Sequence, residues 1–173
     1  SLHSGGVLNM LKEPSNTSAE SAPVDSVEHW TEVVRGCAAN VGPAMGLPPC
    51  QVLATLKAPP AGLTGVAITL EGTKPHVLIG VLSNQVGRSA IARAVFQMSP
   101  EERPKPEDET DAVGELANVI TGHVKAVMRE LDTTMRIGLP SAVSAEAFSS
   151  RTDQITLRVS FGSVPAALVV TRL

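Results

Sequence analysis

The chain has 173 residues, of which 43% are hydrophobic and 18% are charged, and its formal net charge is −3. This length fits one domain or two small halves packed together. The acidic balance argues against binding to nucleic acid or to an anionic membrane surface, because both need a basic protein surface. No apolar stretch is long enough for a membrane span, and no signal peptide is evident. We therefore expect a cytoplasmic protein without a nucleic-acid or membrane partner.

Aromatic residues are scarce, with three Phe, one Trp and no Tyr, so the core must be built from aliphatic side chains. The two cysteines, Cys37 and Cys50, do not imply a disulfide framework in a chain of this size. We expect both to be free thiols, buried or half-buried.

The first half of the chain predicts a helix followed by three strands. Residues 1–24 are rich in Ser, Pro, Asn and Gly, which predicts a disordered lead-in before a domain over 25–173. A helix starts at Asp25, which has capping-box spacing to Glu28, and Gly42 and Pro43 end it. Aliphatic runs bounded by Pro and Gly then predict strands over 50–58, 65–72 and 76–83.

The second half repeats this order after a connecting helix over 84–98 and an acidic, proline-broken linker over 99–111. A long helix is predicted over 110–131, and strands over 141–148, 154–161 and 166–173. Each long helix is followed by the tripeptide Gly-Leu-Pro, at 46–48 and at 138–140. The expected fold is α+β, with two duplicated helix-plus-three-strand units, six strands and the long helices packed on the sheet.

The helix over 110–131 carries an unusual polar pair in the sequence GELANVITG, residues 114–122. At 100° per residue its apolar stripe is formed by Val113, Leu116, Ala117, Ile120, Val124, Val127 and Leu131. Glu115 and Asn118 lie on the opposite face, and Gly122 follows them by one turn. Each glycine inside a helix costs about 1 kcal/mol relative to alanine. The outer face is therefore predicted to be flat, with a bare backbone that another protein could approach.

An exposed Glu and Asn three residues apart are often only a solvated helix face. The same spacing occurs at Glu13 and Asn16, where Pro14 makes a functional helix implausible. The sequence shows no other catalytic motif. Residues 80–89 have the wrong spacing for a phosphate-binding loop, and the histidines and cysteines have no metal-ligand spacing. We therefore expect no metal or cofactor bound by this chain.

The pattern Glu115, Asn118, Gly122 within residues 111–128 is similar to the signature helix of the CheC/CheX/FliY family of chemotaxis phosphatases. The Gly-Leu-Pro segment and the duplicated layout over 25–173 also resemble that family. The resemblance implies a phosphatase that removes the phosphoryl group from the phosphoaspartate of a CheY-type response regulator. It implies that Glu115 pairs with a lysine of the regulator and that Asn118 orients the attacking water. The Mg²⁺ that the reaction uses is then expected in the regulator's own active site.

A neutral amide suits this task because phosphoryl transfer asks mainly for positioning and electrostatic stabilisation. We expect Asp111, Val119, Gly122 and Lys125 to contact the partner. The first long helix has glutamates at 28 and 32 without an Asn three residues on, which predicts one active site, as in the CheX branch. The same resemblance implies a homodimer.

Two other functions remain open at this stage. The domain could bind a regulator, or serve in a flagellar-switch-like scaffold, without turnover. Alternatively, the exposed helix could pair with its own copy. Asn118→Ala should abolish function only under the phosphatase hypothesis.

Overall fold

A computed structural model describes residues 23–173, so the lead-in predicted over 1–24 lies almost entirely outside the described residues. The helices are α1 (Val27–Ala44), α2 (Gln85–Val95) and α3 (Pro106–Val127). The strands are β1 (Cys50–Leu56), β2 (Thr64–Glu71), β3 (Pro75–Ser83), β4 (Arg136–Ile137), β5 (Ser141–Ser144), β6 (Gln154–Phe161) and β7 (Val164–Arg172). A 3₁₀ helix, Ala145–Phe148, follows β5.

The seven strands form one antiparallel sheet in the order β1-β6-β7-β3-β2, with β4 and β5 both paired to the free side of β2. If β1, β2 and β3 exchange labels with β5, β6 and β7 respectively, the order becomes β5-β2-β3-β7-β6-β1. This is the original order read from the opposite edge of the sheet. The sheet therefore has a pseudo-two-fold axis between β3 and β7, and the predicted duplicated α+β architecture is confirmed.

Both long helices pack on the same face of the sheet. The main core joins α1 and α3 to alternate residues of the central strands, such as Ile68, Ile79 and Leu168, all with no exposed surface. The intervening residues of these strands face the other way. There they form a smaller cluster around Phe148 of the 3₁₀ helix. The central strands are thus covered on both faces, which explains their nearly continuous apolar sequences.

Both long helices begin at positions that differ from the prediction. The N-cap of α1 is Ser26 rather than Asp25, because its side chain accepts a hydrogen bond from the backbone N–H of His29. Asp25 accepts instead from the Trp30 indole and from Arg172. The predicted end at Gly42 and Pro43 is also wrong by one residue, since α1 runs to Ala44 with Pro43 in its last turn.

The start of α3 at Pro106 corrects the linker predicted over 99–111. Proline is well suited to the first position of a helix, where its missing N–H would have no partner. The acidic residues Glu107, Asp108 and Glu109 suit the positive end of the helix dipole. Residues 99–105 are non-helical and mostly exposed, as predicted for the linker, whereas residues 106–111 are the start of α3. The helix ends at Val127 rather than at 131.

The strand predicted over 141–148 is also partly wrong. It ends at Ser144, and the 3₁₀ helix takes the remaining residues so that Phe148 can cover the second face of the sheet. The strand β4 was not predicted, because two residues are too few for a sequence pattern, and it raises the count from six to seven. We call residues 136–144, which run along β2 from β4 to β5, the edge segment.

Candidate active site on the third helix

The buried stripe of α3 fixes which of its residues face outward. Val113, Leu116, Ala117, Ile120 and Val124 have no exposed surface, as the helical pattern predicts. Val127 does not fit the prediction, since it is the last residue of the helix and 62% exposed. Leu131 lies beyond the helix and is half-buried. The face of α3 opposite this stripe points outward, and it carries Glu115 and Asn118.

Glu115 and Asn118 are both exposed and lie one turn apart on α3. Among the described residues, the side-chain hydrogen bonds of α3 involve Asp108, Glu109 and Thr110, and none involves Glu115 or Asn118. The carboxylate and the amide are therefore available to another molecule, as the predicted site requires.

The outer face of α3 is not flat, because the edge segment rises beside the helix. Together they form a depression of about 650 Å³, which we call the α3 depression. Its lining comprises Val66, Thr110, Asp111, Gly114, Glu115, Asn118, Ile137, Gly138, Leu139, Pro140, Ser141 and Ala142. The second Gly-Leu-Pro tripeptide thus forms the wall opposite the predicted catalytic pair.

The charge in the α3 depression is entirely acidic. Asp111 and Glu115 are the charged residues in the lining, and both are exposed. A small anionic phosphate ester would be repelled here. A phosphoryl group therefore approaches more favourably if its own molecule supplies cations that neutralise it.

The predicted partner contacts are not all brought together. Asp111 lies in the α3 depression, whereas Gly122 and Lys125 line a neighbouring depression with Arg129 and Asp132. Val119 is half-buried and packs against the main core. His123 is exposed and lines a groove between α1 and α3.

The fold does not require either glycine of GELANVITG. A Cβ built at Gly114 would meet Val66 at 3.8 Å, and one built at Gly122 would meet Ile137 at 3.8 Å. Both are ordinary van der Waals distances, and neither glycine has a positive φ. Alanine would therefore fit at both positions.

The first long helix offers no equivalent pair. Thr31, three residues after Glu28, is buried and its hydroxyl donates to the carbonyl of Val27 at 2.7 Å. Arg35, three residues after Glu32, forms an ion pair with it at 3.4 Å.

A polar cluster around the buried Asp132 and His76, which the sequence analysis missed, holds the connection between α3 and β4. The Asp132 carboxylate accepts hydrogen bonds from the backbone N–H groups and hydroxyls of Thr73 and Thr134, and lies 2.8 Å from Nε2 of His76. These contacts hold the pKa of Asp132 well below its usual range, and the contact with His76 has the largest effect. The cluster fixes where the edge segment begins. His76 and Asp132 are 56 residues apart, so no local sequence pattern indicates their pairing.

Both cysteines are free, as predicted, and burial raises the pKa of each thiol. Between residues 23 and 173 there is no group of three or more His, Cys, Asp or Glu side chains placed to hold a metal ion. No helix in this range is both long and apolar enough to cross a membrane.

The fold is similar to those of several solved chemotaxis proteins. A CheX from Desulfovibrio desulfuricans matches with a TM-score of 0.66 and 16% identity, over 83% of this chain and 99% of that one. A CheX from Vibrio vulnificus matches with a TM-score of 0.63 and 19% identity, over 83% and 99%. The CheX–CheY–BeF3–Mg²⁺ complex from Borrelia burgdorferi matches with a TM-score of 0.58 and 13% identity, over 87% and 98%.

No curated protein matches the sequence. The family model described as chemotaxis phosphatase CheX, however, matches residues 64–161, which is more than half of the chain. This range contains α3 with its exposed Glu115 and Asn118, the edge segment and five of the seven strands. The chain belongs to the CheX family of chemotaxis phosphatases.

Proposed function

We propose that this protein hydrolyses the phosphoaspartate of a CheY-type response regulator, with α3 docked over the active site of the regulator. The observation that carries the proposal is the pair Glu115 and Asn118, exposed one turn apart without a hydrogen bond among the described residues. Because neither side chain is engaged within the described part of the fold, both are available to a partner.

Asn118 is assigned to the attacking water. Its side-chain carbonyl accepts a hydrogen bond from the water and its NH₂ group donates one, so the amide can hold the water in line with the bond that breaks. The water oxygen bonds to phosphorus, and the bond between phosphorus and the aspartate oxygen breaks. The aspartate leaves as a carboxylate and inorganic phosphate is released, with the protons of the water going to phosphate and solvent.

Glu115 is assigned to docking. Its carboxylate can pair with a lysine of the regulator and fix the register of α3. A carboxylate at the position of Asn118 would instead repel the phosphoryl oxygens.

The acidity of the α3 depression favours a protein substrate over a small phosphate ester. The depression carries Asp111 and Glu115 and no basic residue, so it favours a substrate that brings its own cations. A regulator supplies them as its lysine and the Mg²⁺ of its own active site. The complex of a related CheX with CheY and Mg²⁺ supports this partner.

We further propose that the protein acts in the cytoplasm as a homodimer. Light scattering would test the oligomeric state.

The proposal is tested by phosphate release from a phosphorylated CheY-type regulator of the same genome. We expect wild-type protein to accelerate release. Asn118→Ala should bind the regulator equally well but lose at least about a hundredfold of the acceleration, the scale on which a misplaced reactant slows a reaction. Glu115→Ala should raise KM for the regulator. The matched control is Asn40→Ala, which removes an exposed helical asparagine from α1, outside the α3 depression.

Two results would contradict the proposal. If Asn118→Ala is as active as Asn40→Ala, Asn118 does not position the water. If wild-type protein binds the phosphorylated regulator without accelerating its decay, the domain is a non-catalytic regulator-binding or scaffold module.

A further inference from the structure

The two Gly-Leu-Pro tripeptides, which precede β1 and β5, have opposite environments. Leu47 is 5% exposed and belongs to the main core, whereas Leu139 is 89% exposed. The pseudo-two-fold axis of the sheet relates the two halves of the chain. The second half therefore places in solvent a leucine whose counterpart in the first half is buried.

A β-bulge in the edge segment produces this exposure. Ile137 pairs with Leu70, and Ser141 pairs with Ala67. Three residues of the edge segment, 138–140, therefore oppose two residues of β2, 68 and 69. The extra residue forces the segment away from β2 and re-aims its side chains.

Backbone contacts hold the bulge on both sides of Leu139. The backbone N–H of Gly138 donates to the carbonyl of Thr69 at 2.8 Å. Pro140 restricts its own φ on the other side. Strand pairing continues both before and after the bulge. A backbone held in this way loses little conformational freedom when a partner covers Leu139.

Leu139 lies in the same depression as Glu115 and Asn118, on the opposite wall. A protein that docks on α3 closely enough to bring a phosphoryl group to Asn118 must therefore also meet Leu139. We propose that Leu139 is the apolar anchor that seats the phosphorylated response regulator on α3. This inference rests on the proposed function. It adds a residue that sets affinity for the regulator and does not touch the reacting atoms.

The chemistry of the depression defines the partner surface. Asp111 and Glu115 favour a basic group, and Leu139 with Ile137 and Pro140 favours an apolar patch beside it. The matching surface of the regulator is an apolar patch next to the lysine of its phosphorylation site.

Leu139→Ala tests the inference through the separation of KM from kcat in the phosphate-release assay. Because the leucine is exposed in the free protein, its truncation should leave the thermal unfolding midpoint unchanged. We expect KM for the phosphorylated regulator to rise about tenfold, which is the effect of a moderate interface anchor. The value of kcat should stay within about twofold. The matched control is Val86→Ala on α2, which truncates another exposed aliphatic residue, 77% exposed and outside the α3 depression.

An unchanged KM in Leu139→Ala, with wild-type protein active, would overturn the inference and leave the proposed function standing. If Leu139→Ala instead converts a dimer to a monomer in light scattering, the anchor belongs to a second copy of this chain and the inference is wrong. If wild-type protein binds the regulator without turnover, the proposed function fails. The dissociation constant for the regulator then replaces KM as the readout, and an unchanged value in Leu139→Ala would overturn the anchor too. If wild-type protein does not bind the regulator, both proposals fail.

Discussion

The glycines of α3 offer a direct test of whether this helix is optimised for stability. Neither Gly114 nor Gly122 is required by sterics, because a Cβ at each position would make contacts at 3.8 Å, with Val66 and Ile137 respectively. Alanine also has the higher helix propensity. We therefore predict that Gly114→Ala and Gly122→Ala each raise the free energy of unfolding.

The expected gain is about 1 kcal/mol for each substitution. The two positions are eight residues apart, roughly 12 Å along the helix axis, so their effects should add. For a chain of this size 1 kcal/mol corresponds to about 2 to 4 °C in the unfolding midpoint, and the double variant should gain about 4 to 8 °C.

The fluorescence of Trp30 provides the assay, since this single tryptophan is fully buried and becomes exposed on unfolding. Urea titrations should show a higher midpoint with an unchanged slope. The contrasting control is Gly65→Ala, because a Cβ there would overlap the Val81 carbonyl oxygen. That variant should lose about 3 kcal/mol or more. A loss of stability in Gly114→Ala or Gly122→Ala would refute the reasoning that the fold leaves both positions free.

Two further predictions concern ionisable groups. The pKa of Asp132 is lower in the folded chain than in the unfolded one, so its contribution to stability is complete above about pH 4 and is lost as the pH falls further. Asp132→Asn should therefore flatten the acid limb of a stability–pH profile. An unaltered limb would contradict the role of the His76 contact. Burial raises the pKa of Cys50 to about 11, so roughly one thiol in a thousand is ionised at pH 8; alkylation should be slow until urea unfolds the chain, and rapid labelling of the folded protein would show that the thiol is accessible.

The layout of the fold and the position of the proposed catalytic pair could be predicted because both depend on local periodicity. A stripe of aliphatic residues at helical spacing fixed which face of α3 is buried, and Glu115 and Asn118 then had to be exposed. The repeated order of elements around Gly-Leu-Pro indicated the duplication. The start of α3 at Pro106 was missed because prolines and acidic residues occur both in linkers and at helix N-termini.

The shape of the site could not be predicted, because it depends on pairings between distant residues. The α3 depression exists since the edge segment pairs with β2, about 70 residues earlier in the chain. The bulge that exposes Leu139 follows from the register of that pairing. The two Gly-Leu-Pro tripeptides are identical in sequence, although Leu47 is buried and Leu139 is exposed.

The order of the strands also has a consequence for synthesis of the chain on the ribosome. β1 is made early, but the strand it pairs with, β6, ends about a hundred residues later, at Phe161. At typical translation rates this interval lasts roughly 5 to 20 s. Throughout that time β1 lacks the neighbouring strand that takes up its backbone hydrogen bonds, so another nascent chain or a chaperone can bind there before β6 arrives.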